Sequence, residues 1–233
     1  MRFKDPVYLG DPINVVKIFN EKEVDELVFL DISATAENKE PQFDLIEDIA
    51  SEAFMPFAYG GGIRTLEHVK KLFHLGVEKV ILNTYAAEDP DFLTRCAEVY
   101  GNQSIVVSID VKKNIFGKYV SFIRNGQKKI SIDPIAYAQL VQEKGAGEII
   151  VNSIDRDGTM KGYDLEIIAK IAEVVSIPVV ACGGAGSVKD FHAAIHHGHA
   201  SAVAAGAFFV FHGPHRAFLI NVPDRKTIES ALA

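Results

Sequence analysis

The sequence predicts a (β/α)8 barrel, and three observations predict it. Short apolar runs of strand length alternate with periodic segments of helix length along the chain. The strongest strand run is apolar almost throughout, as a parallel strand covered on both faces requires. The chain also repeats internally. Residues 26–31 resemble 148–155, residues 56–62 (PFAYGGG) match 178–184 (PVVACGG), and Gly76 matches Gly198 at the same offset. Two similar half-barrels, spanning about residues 26–100 and 148–211, account for the repeat. An open doubly wound sheet is the competing architecture. The repeat disfavours it, as does the lack of a GxGxxG turn opening a helix after the first strand.

The elements follow in order. Residues 2–9 read as a loop and 14–22 as a helix. The first strand is 26–32 (ELVFLDI). A helix at 43–53 leads to a short strand at 56–59, then to a helix at 65–75 with Thr65 as its N-cap. Strand 79–82 precedes a helix at 90–99 with Pro90 at its first position, where a missing N–H is harmless. Residues 104–110 (SIVVSID) form the strongest buried strand. Residues 111–130 interrupt the rhythm: polar and apolar residues partly alternate and Asn125-Gly126 marks a tight turn, so a hairpin-like insertion is expected. The rhythm resumes with helix 134–144, strand 148–154, helix 165–174, strand 178–182, helix 188–197 and strand 202–205. Residues 216–220 are short and apolar, and 225–233 read as a closing helix. Seven barrel strands result where eight are needed. The missing one would precede Met1, so a single barrel domain over 1–233, incomplete at its N-terminal side, is expected.

Composition limits the function. With 233 residues, 48% hydrophobic and 24% charged, the chain is of globular type. A net charge of -7 argues against a nucleic-acid-binding surface but allows a local phosphate site. Cys96 and Cys182 make no disulfide framework and fit a reducing, cytoplasmic setting. No apolar run reaches the roughly 18 residues of a membrane span, and the start of the chain has no signal-peptide pattern.

In a barrel of this kind the chemistry gathers at the C-terminal ends of the strands. The polar residues there are Asp31, Asn83, Asp110, Ser153, Asp155 and Asp157. Gly60-Gly61-Gly62 and Gly183-Gly184-Ala185-Gly186 each follow a strand and precede a helix, so their N–H groups can converge on an anion. Asn83-Thr84 and Ala205-Gly206 stand at the next strand ends. One glycine run is as readily a tight turn as a phosphate cradle. Two at the same repeat phase favour cradles, and a substrate with a phosphate at each end. Asp110 ends the strongest strand, and a carboxyl there serves as general acid or base if its pKa rises toward neutrality; the plainer alternative is a salt-bridging aspartate. Glu26, Lys79 and Glu148 begin strands at the opposite face, where charges ordinarily serve stability; surface or ordinary ion pairs are the leading reading, and a salt-bridged ring around the bottom of the barrel is the alternative. His192 and His196 share a helix at ligand spacing, but that helix should be external and lacks the accompanying glutamate, so no metal is expected. The Lys112-Lys113 and Lys128-Lys129 pairs are read as solvating the hairpin.

The segments ELVFLDI (26–32), PFAYGGGIRT (56–65), KVILNT (79–84), VVSIDVKK (106–113), GAGEIIVNSIDRDGTMKGYD (145–164) and ACGGAGS (181–187) strongly resemble the cyclase subunit of imidazole glycerol phosphate synthase. The resemblance spans nearly the whole chain. It implies a (β/α)8 barrel that needs no cofactor and takes ammonia from a glutaminase subunit docked at its N-terminal face. The substrate implied is a bisphosphorylated ribulosyl-formimino aminoimidazole carboxamide nucleotide; the products are imidazole glycerol phosphate and an aminoimidazole carboxamide ribonucleotide. Carried over, Asp110 matches a catalytic aspartate, and Glu26, Lys79 and Glu148 match members of the ammonia gate. Gly61, Gly62, Asn83 and Thr84 match one phosphate site; Gly183, Gly184, Ala205 and Gly206 match the other; Asp157 matches a substrate-binding acid. The family's first strand, which bears the other catalytic aspartate and the gate arginine, has no counterpart here. Residues 33–39 and 209–220 also depart from the usual pattern and resemble a paralogous branch linked to surface polysaccharides. For that branch the resemblance implies an ammonia-conducting subunit that serves a separate sugar amidotransferase.

Overall fold

The computed structural model describes residue 3, residues 10–213 and residues 215–232. The loop expected over 2–9 therefore lies outside the described residues, apart from Phe3. In chain order the elements are α1 (Pro12–Glu21), β1 (Leu27–Leu30), α2 (Phe43–Glu52), β2 (Phe57–Gly60), α3 (Leu66–His74), β3 (Lys79–Leu82), α4 (Thr84–Glu88) and α5 (Asp91–Tyr100). Then come β4 (Ile105–Lys113), β5 (Tyr119–Ile123), β6 (Lys128–Lys129), α6 (Pro134–Glu143), β7 (Glu148–Ser153), α7 (Leu165–Ala172), β8 (Val179–Cys182) and α8 (Val188–His196). The chain closes with β9 (Ala202–Val203), α9 (Ala207–Val210), β10 (Phe211–His212), β11 (Ala217–Phe218) and α10 (Arg225–Leu232). No helix among the described residues is long and apolar enough to cross a membrane.

Seven strands pair in parallel in the order β1-β2-β3-β4-β7-β8-β9. The sheet is curled, with helices alternating along it, and forms an open barrel of (β/α)8 type lacking one strand among the described residues. Alternation along each strand divides the side chains into two sets. The outward set, such as Val80, Val107, Ile149 and Val179, packs with the apolar faces of the helices into one large core. The inward set is small and separate: Ala58, Ile81, Val106, Ile150 and Val180, flanked by Cys182 and Ala204. Val28 and Leu30 share the inward phase of β1 but are 37% and 40% exposed, because β1 lies at the open edge of the sheet.

Caps locate several helices as the sequence suggests. The Thr65 hydroxyl accepts the His68 N–H, and the Asp133 carboxylate accepts the N–H groups of Ile135 and Ala136. Elsewhere the structure departs from expectation. Pro90 stands before α5 as its cap rather than inside its first turn, and α4 precedes it. Five residues of helix are too few to show a period. The excursion at 111–130 is more than a hairpin. β4 runs on to Lys113 and pairs antiparallel with β5, which pairs with β6; Arg124, Asn125 and Gly126 all turn with positive φ. The apolar residues near 216–220 include β11, paired with β10 through Phe211 and Phe218.

Candidate active site and ionic cluster

The inward phase runs from one end of the sheet to the other, and its two ends are polar. At the N-terminal end Glu26 precedes β1, Lys79 begins β3 and Glu148 begins β7. The Lys79 ammonium donates to Glu26 Oε2 at 2.8 Å and to Glu148 Oε2 at 3.0 Å. All three are partly buried, with side chains 17–31% exposed. Burial works against the charge on Lys79, but the hydrogen bonds to both carboxylates outweigh it and hold its pKa above the usual lysine value. Three distant segments thus converge on one bonded cluster, closer to the salt-bridged alternative than to the leading reading of ordinary ion pairs.

At the C-terminal end, register sets one row: Asp110 of β4 lies opposite Asn152 of β7, which lies opposite Cys182 of β8. Asp110 is 7% exposed. Its carboxylate accepts the Ser108 hydroxyl at 3.3 Å and the Asn83 amide at 3.3 Å, with Asn152 opposite it in the sheet. Burial pushes its pKa up to about 7, with a smaller contribution from the Asp157 charge, while the bonds from Ser108 and Asn152 pull the other way. A carboxyl poised near neutrality can both take and give a proton. The Cys182 thiol is pushed up to about 12 by burial and is inert as a nucleophile near neutral pH.

The glycine turns stand beside this row. Gly61 has φ +131°, and a Cβ there would lie 2.5 Å from the Asp31 carbonyl; at Gly184 (φ +115°) it would lie 2.3 Å from the Gly162 carbonyl. Only glycine lets these neighbouring turns approach so closely. The Gly62 N–H reaches the Thr35 hydroxyl at 3.4 Å, and Gly183 borders Asn152. Asn83 and Thr84 act as a tie rather than as free donors. The Asn83 amide also bonds the Ser108 carbonyl, and the Thr84 hydroxyl donates to Asn83 Oδ1 and accepts the Arg124 N–H. What Thr84 leaves for an anion is the first turn of α4, whose N–H groups have no partner within the helix. Ala205 and Gly206 lead into α9 in the same way. The first turn of α8, by contrast, is closed by its own capping box of Ser187 and Asp190.

Asp157 lies in the loop after β7. Burial raises its pKa, against a hydrogen bond from the Phe3 backbone. Asp31 serves its own loop instead: it accepts Ser33 N–H, Ser33 hydroxyl, Ala34 N–H and the Gln42 amide, and these outweigh burial to lower its pKa. Asp155 accepts the Lys113 N–H at the end of β4. His192 and His196 donate to the Ala231 and Leu232 carbonyls and fasten α10. A polar groove of about 390 Å³ is bordered by Lys113, Arg156, Lys161, Asp164, Glu166 and Asp190, and neither Asp110, Asn152 nor Cys182 lines it.

Two residues of the row escape the sequence reading. Ser153 was the expected polar residue of its strand, but its phase is that of the outward Val151; Asn152 has the inward phase of Glu148 and Ile150. Counting by twos from Glu148 finds Asn152, and from Asp110 finds Ser108.

The model of the family described as "Histidine biosynthesis protein" matches residues 1–213. A putative imidazole glycerol phosphate synthase subunit hisF2 of Pseudomonas aeruginosa is 52% identical over 224 residues, 96% of this chain and 89% of the relative. A putative subunit hisF3 of Vibrio vulnificus is 48% identical over 233 residues, 100% of this chain and 90% of the relative. The imidazole glycerol phosphate synthase subunit HisF of Alkaliphilus metalliredigens is 41% identical over 209 residues, 90% of this chain and 83% of the relative.

Proposed function

The chain belongs to the HisF family of imidazole glycerol phosphate synthase subunits, and on that premise we propose that it is the ammonia-using cyclase of such a synthase. A glutaminase partner docks on the face of Glu26, Lys79 and Glu148 and releases ammonia there. Ammonia travels along the inward file of Ile81, Val106, Ile150 and Val180, which offers it no hydrogen-bonding partner and no charge. At the far end it meets a bisphosphorylated ribulosyl-formimino aminoimidazole carboxamide nucleotide. One phosphate lies at Gly61, Gly62 and the first turn of α4 after Asn83 and Thr84. The other lies at Gly183, Gly184 and the turn of Ala205 and Gly206, and Asp157 binds substrate beside them. Asp110 moves the proton during ring closure. The products are imidazole glycerol phosphate and an aminoimidazole carboxamide ribonucleotide.

The observation that carries this reading is Asp110 itself: a buried carboxyl held near pKa 7 at the end of the inward file, between two glycine turns. The test is turnover of the nucleotide by the full chain, driven either by ammonium chloride or by glutamine with the partner present. Asp110→Asn is expected to lower both by at least about a hundredfold, the range of a lost acid–base group. Lys79→Met is expected to impair glutamine-driven turnover and to spare the ammonium-driven reaction. Ammonium-driven turnover that survives Asp110→Asn unchanged contradicts the reading.

A second reading is an ammonia-conducting subunit that does not cyclise and serves a sugar amidotransferase. The tail prompts it: the β10–β11 hairpin lies in the segment that resembles the polysaccharide-linked branch, and Arg216 bonds it to the Gly158 carbonyl at 2.8 Å, beside Asp157. Under it, the folded wild-type chain binds glutaminase and gives no cyclised product.

A further inference from the structure

Among the described residues, five buried side-chain polar atoms lack a hydrogen-bond partner: Tyr59 Oη, His68 Nδ1, Ser121 Oγ, Tyr137 Oη and Asn152 Oδ1. Of these, Asn152 alone belongs to the inward phase of the parallel sheet, in the row of Asp110. An unpaired buried acceptor costs about 1–3 kcal/mol, so Oδ1 calls for a donor at this place, whether water or a ligand.

The orientation of the amide follows from its neighbour. Asn152 stands opposite Asp110 in the sheet and works to lower its pKa, which only the N–H side of the amide can do, since the oxygen would be repelled there; Oδ1 therefore points elsewhere. A Cβ placed on Gly183 would stand 2.7 Å from that oxygen. Oδ1 therefore faces the second glycine turn, where a side chain at 183 would collide with it. Below it on the same strand come Ile150 and then Glu148 of the ionic cluster, with Ile81, Val106 and Val180 across the interior. A small molecule rising from the N-terminal end passes these apolar side chains and then Ser108, whose hydroxyl is turned to Asp110, before it reaches Asn152. Ammonia carries three N–H donors and one lone pair, so an acceptor grips it while leaving the reactive lone pair free.

We propose that Asn152 is a positioning residue with two functions: its amide N–H steadies Asp110, and its Oδ1 docks the incoming ammonia beside that carboxylate. This rests on the reading that ammonia reacts at the Asp110 end of the interior.

The test uses the full chain with Asn152→Leu, which keeps the shape and removes both hydrogen bonds, and Asn152→Thr, which keeps an acceptor. With ammonium chloride as nitrogen source, Asn152→Leu should raise the KM for ammonia about tenfold, the value of one hydrogen bond. The KM for the nucleotide should stay within about twofold. The acid limb of the kcat profile should move to higher pH, because the carboxylate has lost a donor. Asn152→Thr should recover part of the ammonia KM. A rise confined to the nucleotide KM, or no change in either, overturns the proposal. A second readout does not need turnover. In carbon-13 aspartate spectra, with the Asp110 signal assigned through Asp110→Asn, ammonium chloride should give a saturable shift in wild type that Asn152→Leu loses. An equal response in both proteins, or none in wild type, overturns the docking role. Absence of cyclised product with the saturable shift intact counts only against the cyclase reading.

Discussion

Asp110 ionises where charge is unwelcome, and that has a consequence for folding as well as for chemistry. Its folded-state pKa of about 7 lies above the ordinary 3.8. The folded protein holds this proton more tightly than the unfolded chain does. Its contribution therefore favours folding as pH falls below about 7 and is lost as pH rises through that window. Asp110→Asn removes the titration. Thermal unfolding should show the variant more stable than wild type at about pH 8, with the difference shrinking toward about pH 5. A gap that is constant with pH contradicts the assignment. At this scale the sequence was legible where a residue type is conspicuous: an aspartate ending an apolar strand draws attention by itself. Asn152 was not, because its neighbour Ser153 is equally polar and only the phase of the strand separates them. The alternation is fixed by the strand itself, but which face is inward shows only when it is counted from a residue of known side, here Glu148.

The strands, the longer helices and their order are legible in the alternation of apolar runs, because each must cover one face of a shared core. Short elements are not. α4 and α9 have too few residues to form a stripe, yet both stand at proposed phosphate turns. The excursion after Asp110 is likewise hidden, since nothing local says that β4 continues to Lys113 and turns back on itself. Thr84 joins these elements. Its hydroxyl accepts the Arg124 N–H at 3.0 Å and donates to Asn83 Oδ1 at 3.3 Å, so it links the turn after β5 to the residue that bonds Asp110. Thr84→Val keeps the shape and leaves the Arg124 N–H without its acceptor. It should cost about 1–2 kcal/mol in denaturant unfolding and speed amide exchange at Arg124. Unchanged exchange there would show that the excursion is held by its strand pairing alone.

At the scale of the molecule, the parallel sheet carries two polar ends joined by a short apolar file. The ionic cluster occupies one end and the near-neutral carboxylate the other, and each is assembled from strands far apart in sequence. The internal repeat signals this architecture and the phase of the glycine turns. It does not disclose that Glu26, Lys79 and Glu148 bond to one another, because three charges at strand starts look alike whether they meet or not. The resemblance to a known family supplied that expectation, and the 2.8 and 3.0 Å bonds supply its geometry. In the proposed reaction with ammonia, Asp110 moves the proton. The pH profile of ammonium-driven kcat tests it most directly, since kcat reports the groups that titrate in the bound complex. A limb near pH 7 is expected, and it should vanish from the residual activity of Asp110→Asn. A profile flat between about pH 6 and 9, or a limb that survives the substitution, would contradict it.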